Sequence, residues 1–168
     1  VPHANDMVVM VPIFARGEVV AFAVSLGHTP DIGGVAAGSR NATARDLFGE
    51  GLQLAPLRFM RDGKMLQDTA NVVRANSRVP DMMIGDLEAK VGVCFAIGTA
   101  RLKDVMDTFG VDTVLQAFAD IGDSSESVIR DHIAGWLDGV HEAEAWVDDP
   151  TVPDSPIRLH VAAIKEGD

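Results

Sequence analysis

His3-Ala4-Asn5-Asp6 and His28-Thr29-Pro30-Asp31 repeat one four-residue pattern, His-x-x-Asp, at the two ends of a single stretch. Between them run Met7-Val8-Val9-Met10-Val11-Pro12-Ile13-Phe14, the polar tetrad Ala15-Arg16-Gly17-Glu18, and Val19-Val20-Ala21-Phe22-Ala23-Val24. Two apolar, β-branched runs separated by a short glycine-containing turn predict a β-hairpin. An antiparallel hairpin returns the chain to its starting end, so His3 and Asp6 should finish beside His28 and Asp31. Imidazoles and carboxylates gathered in this way are common donors for Zn, Mn or Fe in sites that keep coordination positions open. A single His-x-x-Asp more often caps a strand end. Two of them, joined by one hairpin, favour a metal.

Outward from the hairpin, residues 27–43 form a loop rich in Gly, Ala, Ser, Asn and Thr. Gly33, Gly34 and Gly38 permit close backbone approach, and successive amides there can form an anion nest. No Gly-x-x-x-x-Gly-Lys pattern is present, so a phosphate-loop nucleotide site is not supported. A helical turn is expected near Thr43–Phe48, capped by Asn41 or Thr43. Glu50-Gly51 and then a broken extended segment follow, and Asp62-Gly63 marks a tight turn. A short helix is expected over Leu66–Arg74. Pro80 holds Val79 out of helical geometry. From Asp81 to Phe109 one apolar stripe (Ile84, Leu87, Val91, Cys94, Leu102, Val105) predicts the clearest helix, with Gly92 and Gly98 marking close packing. Cys94 falls on that stripe and belongs to the core. A second helix is expected over Asp112–Ile121 and a third from Asp123, where Glu126 completes a capping-box spacing. Glu142, Glu144, Asp148 and Asp149 form a solvated acidic flank, and Ile157–Ala163 alternates as a half-buried strand. Arg74 and Arg78 are candidate anion anchors, although most such arginines face solvent. Strands early, helices in the middle and late part, and a further strand at the C-terminus give an α+β class, with a β-hairpin and mixed sheet early.

The 168 residues are 47% hydrophobic, enough for a packed core and against disorder. A net charge of −11 disfavours nucleic acid and anionic membrane as partners, because both are polyanions. No apolar run reaches the roughly 20 residues of a membrane-spanning helix. Cys94 is the one cysteine, so no internal disulfide can form, which is compatible with a reducing cytoplasm.

Several of these pieces carry a resemblance. His3-x-x-Asp6 with Val-Pro-Ile-Phe, Gly17-Glu18-Val-Val-Ala-Phe, Gly27-His28-x-x-Asp31-Ile32-Gly33-Gly34, Gly38-Ser39, Glu50-Gly51-Leu52, Pro56-Leu57 and Gly85-Asp86-Leu87-x-Ala89 occur in the order seen in the hydantoinase B/oxoprolinase family. That family includes 5-oxoprolinases, N-methylhydantoinases, caprolactamases and ketone carboxylases. The resemblance implies a divalent metal, Zn or Mn, held by His3, Asp6 and His28, with a further ligand upstream. It places Asp31 in a glycine loop beside the site. Members have much longer subunits, so 1–168 is expected to be an internal segment: a strand-rich metal-site part (1–65), a helical part (66–149) and the start of a further strand region (150–168).

The function so implied is a metal-dependent subunit of an ATP-coupled hydrolase of cyclic-amide C–N bonds. ATP would be bound by a hydantoinase A-like partner subunit, in a cytoplasmic hetero-oligomer. Metal chemistry would polarise a carbonyl and lower the pKa of water towards about 7. Asp31 or Glu50 would orient a ligand imidazole or act as general base. The alternatives are a subunit of an acetone- or acetophenone-type ketone carboxylase, and a structural subunit with an incomplete site.

Overall fold

The computed structural model describes residues 4–39, 41, 44, 46–149, 152 and 154–167. They form two compact units, Val1–Thr108 and Phe109–Asp168. The architecture mixes strands early, a long helical middle and a strand pair near the C-terminus, in keeping with the α+β expectation.

The first unit opens with the hairpin. Strand β1, Asp6–Ala15, pairs antiparallel with β2, Glu18–His28, through a turn at Arg16 and Gly17. Both turn residues have positive φ, 52° and 85°, which suits the right-handed twist of the flanking strands. The register shifts between Ile13 and Phe14, immediately after Pro12, whose missing N–H cannot serve a regular ladder. Met60–Arg61 (β3) and Lys64–Met65 (β4) make a second small hairpin around Asp62-Gly63, as the turn signal predicted.

Helix α1 spans Gln67–Ala75 and α2 spans Pro80–Val93. Helix α2 begins at Pro80, where a missing N–H costs nothing, after a non-helical Val79 (φ −130°, ψ 60°). A π-helical segment, Cys94–Thr99, joins it to α3, Ala100–Phe109. The inner face of the hairpin packs on this helical rod. Val11, Ile13, Ala23 and Cys94 form one buried cluster, while Ile32, Ala70, Val73, Met83, Ile84 and Leu87 form another. Val9 packs against both clusters. Gly98 faces Ala23 so closely that an added Cβ would lie 2.6 Å from the Ala23 Cβ. Gly92, by contrast, has open space around it, so close packing does not explain it. The opposite face of the hairpin, with Val8, Met10, Phe22, Val24 and Leu26, is exposed. The all-apolar strands are therefore not buried on both sides among the described residues.

The second unit carries α4, Val111–Ala134, and a ribbon of β5, Gly139–Val147, with β6, Ile157–Lys165. The structure departs from expectation in two places here. The break expected between helices at residues 121–123 is absent: α4 runs through Gly122 and Asp123, and the Ser125 hydroxyl bonds back to the Ile121 carbonyl (2.7 Å). The strand β5 itself was not foreseen: Glu142 and Glu144 are solvent-exposed as expected, but they lie on a strand that cross-strand pairing of Glu144 with His160 and Trp146 with Arg158 fixes. Among the described residues, no helix is long and apolar enough to cross a membrane.

Candidate functional site

The hairpin does what its pattern requires. Asp6 and His28 are direct cross-strand partners at its open end. Asp6 Oδ1 lies 2.9 Å from His28 Nε2. The Asp6 side chain is 3% exposed and that of His28 44%, so the pair sits at the boundary between core and solvent. His3, the third ligand expected from the resemblance, lies outside the described residues.

This pair is not an ordinary hydrogen bond. Asp6 Oδ1 is buried and accepts no hydrogen bond, although the imidazole nitrogen is within reach. Two donors, each about 2.1 Å from one ion, would stand about 3 to 3.4 Å apart. A buried, unsatisfied carboxylate oxygen beside an imidazole nitrogen at nearly that spacing fits a divalent cation. Among the described residues, no third His, Cys, Asp or Glu completes the cluster.

The open end of a hairpin normally frays, and here it is fastened on both sides of the pair. One step outward, Thr29 donates its amide (2.8 Å) and its hydroxyl (2.9 Å) to the Asn5 carbonyl, and Asn5 Nδ2 donates to the Thr29 carbonyl (3.2 Å). One step inward, at the Met7–Gly27 pair, Lys90 reaches across from α2. Neither Asn5–Thr29 nor Lys90 was signalled by spacing, because each acts through backbone carbonyls far away in sequence.

Asp31 has a different environment from Asp6. Its carboxylate is buried and fully engaged. It accepts the amides of Gly33 (2.9 Å), Gly38 (2.8 Å) and Arg78 (3.1 Å), and the Arg78 guanidinium through Nη1 (2.9 Å). Burial alone would raise its pKa. The amides of Gly33, Arg78 and Gly38 and the guanidinium more than offset this and hold it down at about 2. The glycine loop does hold an anion, but through the separated amides of Gly33 and Gly38 and not through successive ones, and that anion is its own Asp31. Arg78 also donates to the carbonyls of Gly33, Gly34 and Ala36, tying the loop together from outside. An arginine that composition alone assigns to solvent is thus the loop's main strut.

Glu50 ends the 3-10 turn Leu47–Glu50, which Asp46, not Asn41 or Thr43, caps through Oδ1 and the Gly49 amide (3.0 Å). Thr43 lies outside the described residues. The backbone of Glu50 abuts the glycine loop: a Cβ on Gly34 would come within 2.7 Å of the Glu50 carbonyl. A Cβ on Gly51, whose φ is 117°, would meet the Ile32 oxygen at 2.5 Å. These glycines serve loop-on-loop contact. Beside them opens a cavity of about 650 Å3, lined by Ile32, Gly33, Gly34, Leu52, Asn76 and Arg78 among others. Arg74 takes no comparable part; its carbonyl accepts the Ser77 amide at the end of α1.

Cys94 is buried, and desolvation pushes its thiol pKa up, as suits a core residue.

Comparison with known proteins gives a consistent result. The β subunit of caprolactamase from Pseudomonas jessenii is 30% identical over 147 residues, covering 88% of this chain and 25% of that subunit. The crystal structure of that ATP-dependent caprolactamase superposes with a TM-score of 0.80 over 88% of this chain and 25% of its own. The hydantoinase B component of a putative D-/L-hydantoinase from a Pseudomonas species is 29% identical, covering 98% of this chain and 28% of its own length. The acetophenone carboxylase delta subunit of Aromatoleum aromaticum is 27% identical, covering 99% and 24%. The chain thus spans about a quarter of the length of these relatives. Since the Hydantoinase B/oxoprolinase family matches it throughout, over residues 1–168, the chain belongs to that family.

Proposed function

We propose that this chain is part of the metal-dependent subunit of an ATP-coupled hydrolase of cyclic-amide C–N bonds, working with a hydantoinase A-like ATP-binding subunit in a cytoplasmic hetero-oligomer. The observation that carries the proposal is the convergence of the buried, unsatisfied Asp6 Oδ1 with His28 Nε2 at the hairpin end. The caprolactamase and hydantoinase relatives support the substrate class.

His3, Asp6 and His28 would hold a divalent ion, Zn or Mn. When bound, such an ion supplies Lewis acidity toward a carbonyl and acidifies water. The chain's own residues do the rest. Asn5, Thr29 and Lys90 keep the hairpin end closed, so the Asp6 and His28 donors remain together. Asp31 and Arg78 fix the loop that leaves His28. Of the two candidate carboxylates, Asp31 is saturated with donors and weakly basic, which suits it to holding the loop and not to accepting a proton.

A second reading, a ketone carboxylase subunit, is favoured by the acetophenone carboxylase match across 99% of the chain. Assays on the complete subunit with its ATP-binding partner separate the two. ATP-dependent ring opening of hydantoin, 5-oxoproline or caprolactam supports the hydrolase. Fixation of labelled bicarbonate into acetone or acetophenone supports the carboxylase. Elemental analysis showing no Zn, Mn or Fe, with His28→Ala behaving as wild type in both assays, would refute the metal-dependent reading.

A further inference from the structure

The motif Gly85-Asp86-Leu87-x-Ala89 is followed directly by Lys90. Leu87 is core. Asp86 and Lys90 are not ordinary surface partners: the Lys90 side chain is 10% exposed, and its Nζ lies 3.2 Å from Asp86 Oδ2, one helical turn back. Nζ also donates to the Gly27 carbonyl at 2.7 Å and reaches the Met7 carbonyl at 3.5 Å. Met7 and Gly27 are cross-strand partners, and each is covalently joined to a member of the Asp6–His28 pair.

Burying an ammonium is strongly unfavourable unless its environment offsets the lost hydration. A methionine would fill the same space without that cost. The lysine is instead directed at the carbonyl of the peptide that enters His28 and at the carbonyl of Met7, the residue that follows Asp6. We infer that Lys90 is a positioning residue for the Asp6–His28 pair, holding the two strands at the spacing that lets both side chains meet one cation, with Asp86 neutralising and aiming it. The inference deepens the metal-site reading and rests on it only for the identity of the ligand; the clamp itself is a property of the hairpin.

Two measurements on the full chain separate the clamp from the ligand. Hydrogen exchange followed by mass spectrometry should show Lys90→Met accelerating amide exchange at residues 27–29 at least tenfold, with the turn at Arg16-Gly17 unchanged. Lys90→Gln, which keeps an N–H donor, should recover most of the protection. Zn2+ and Mn2+ titration should show affinity falling roughly 10-fold or more in Lys90→Met and recovering in Lys90→Gln, as expected when an outer contact orients a ligand. Wild-type exchange at residues 27–29 in a folded Lys90→Met protein overturns the clamp. An altered exchange pattern with unaltered metal affinity overturns its positioning role. A wild-type protein that binds neither metal sinks the metal reading and the positioning role with it, while the exchange result still decides whether Lys90 fastens the hairpin.

Discussion

Arg78 and Asp31 stand 47 positions apart in sequence and meet at two points: the Arg78 amide donates to one carboxylate oxygen and its guanidinium to the other. The contact couples the start of α2 to the loop that leaves His28. Asp31→Asn puts an NH2 group where donors converge and leaves Arg78 without its charge partner. Urea unfolding should show a loss of about 2 to 3 kcal/mol.

The same carboxylate predicts a pH dependence. The pKa of Asp31 falls on folding, from an ordinary 3.8 to about 2. Its contribution is therefore present in full above about pH 4 and is lost as pH falls toward 2, a change on the order of 2 kcal/mol. Stability measured across that window should fall less steeply in Asp31→Asn than in wild type.

Two glycines of the helical rod should respond with opposite signs. Gly98→Ala drives a methyl into Ala23 and should cost about 1 to 3 kcal/mol, with partial rescue by Ala23→Gly. Gly92→Ala meets nothing within 4 Å and should add roughly 0.5 to 1 kcal/mol. Thermal unfolding of the two variants checks both.

Asp6 should trade stability against binding. Its buried Oδ1 accepts no hydrogen bond, so Asp6→Asn removes a charge whose burial only the His28 imidazole offsets. The expected gain of about 1 kcal/mol corresponds to a Tm rise of roughly 2 to 4 °C without metal. Zn2+ affinity, measured by competition with a chromophoric chelator, should drop at the same time.

Cys94 should resist thiol reagents. Buried and with its pKa raised, it offers little thiolate in the folded state. Its labelling by a disulfide reagent should become rapid only in denaturant.

How far the sequence could be read depended on the range of the signal. The first hairpin was legible because its turn, its apolar runs and its flanking His-x-x-Asp elements all lie within about thirty positions. The Asp62-Gly63 hairpin and the start of α2 at Pro80 were legible for the same reason: both are set by local φ constraints. Strand β5 was missed because His-Glu-Ala-Glu-Ala lacks β-branched residues, and its state depends on pairing with β6, ten or more positions away. The false break in α4 came from Gly122 and Asp123, good breakers in isolation that a long helix tolerates. At the site, the Asp6–His28 juxtaposition followed from hairpin closure. The Arg78 strut and the Lys90 clamp did not, since both bond to backbone carbonyls that carry no side-chain signature.

The saturated carboxylate in the glycine loop has one more consequence. An anion tethered two residues from its amide donor has an effective concentration that dilution cannot lower. Free phosphate, sulfate or chloride at ordinary strength cannot displace it from the Gly33 and Gly38 amides. The phosphates of a nucleotide approaching this loop would find those amides already taken.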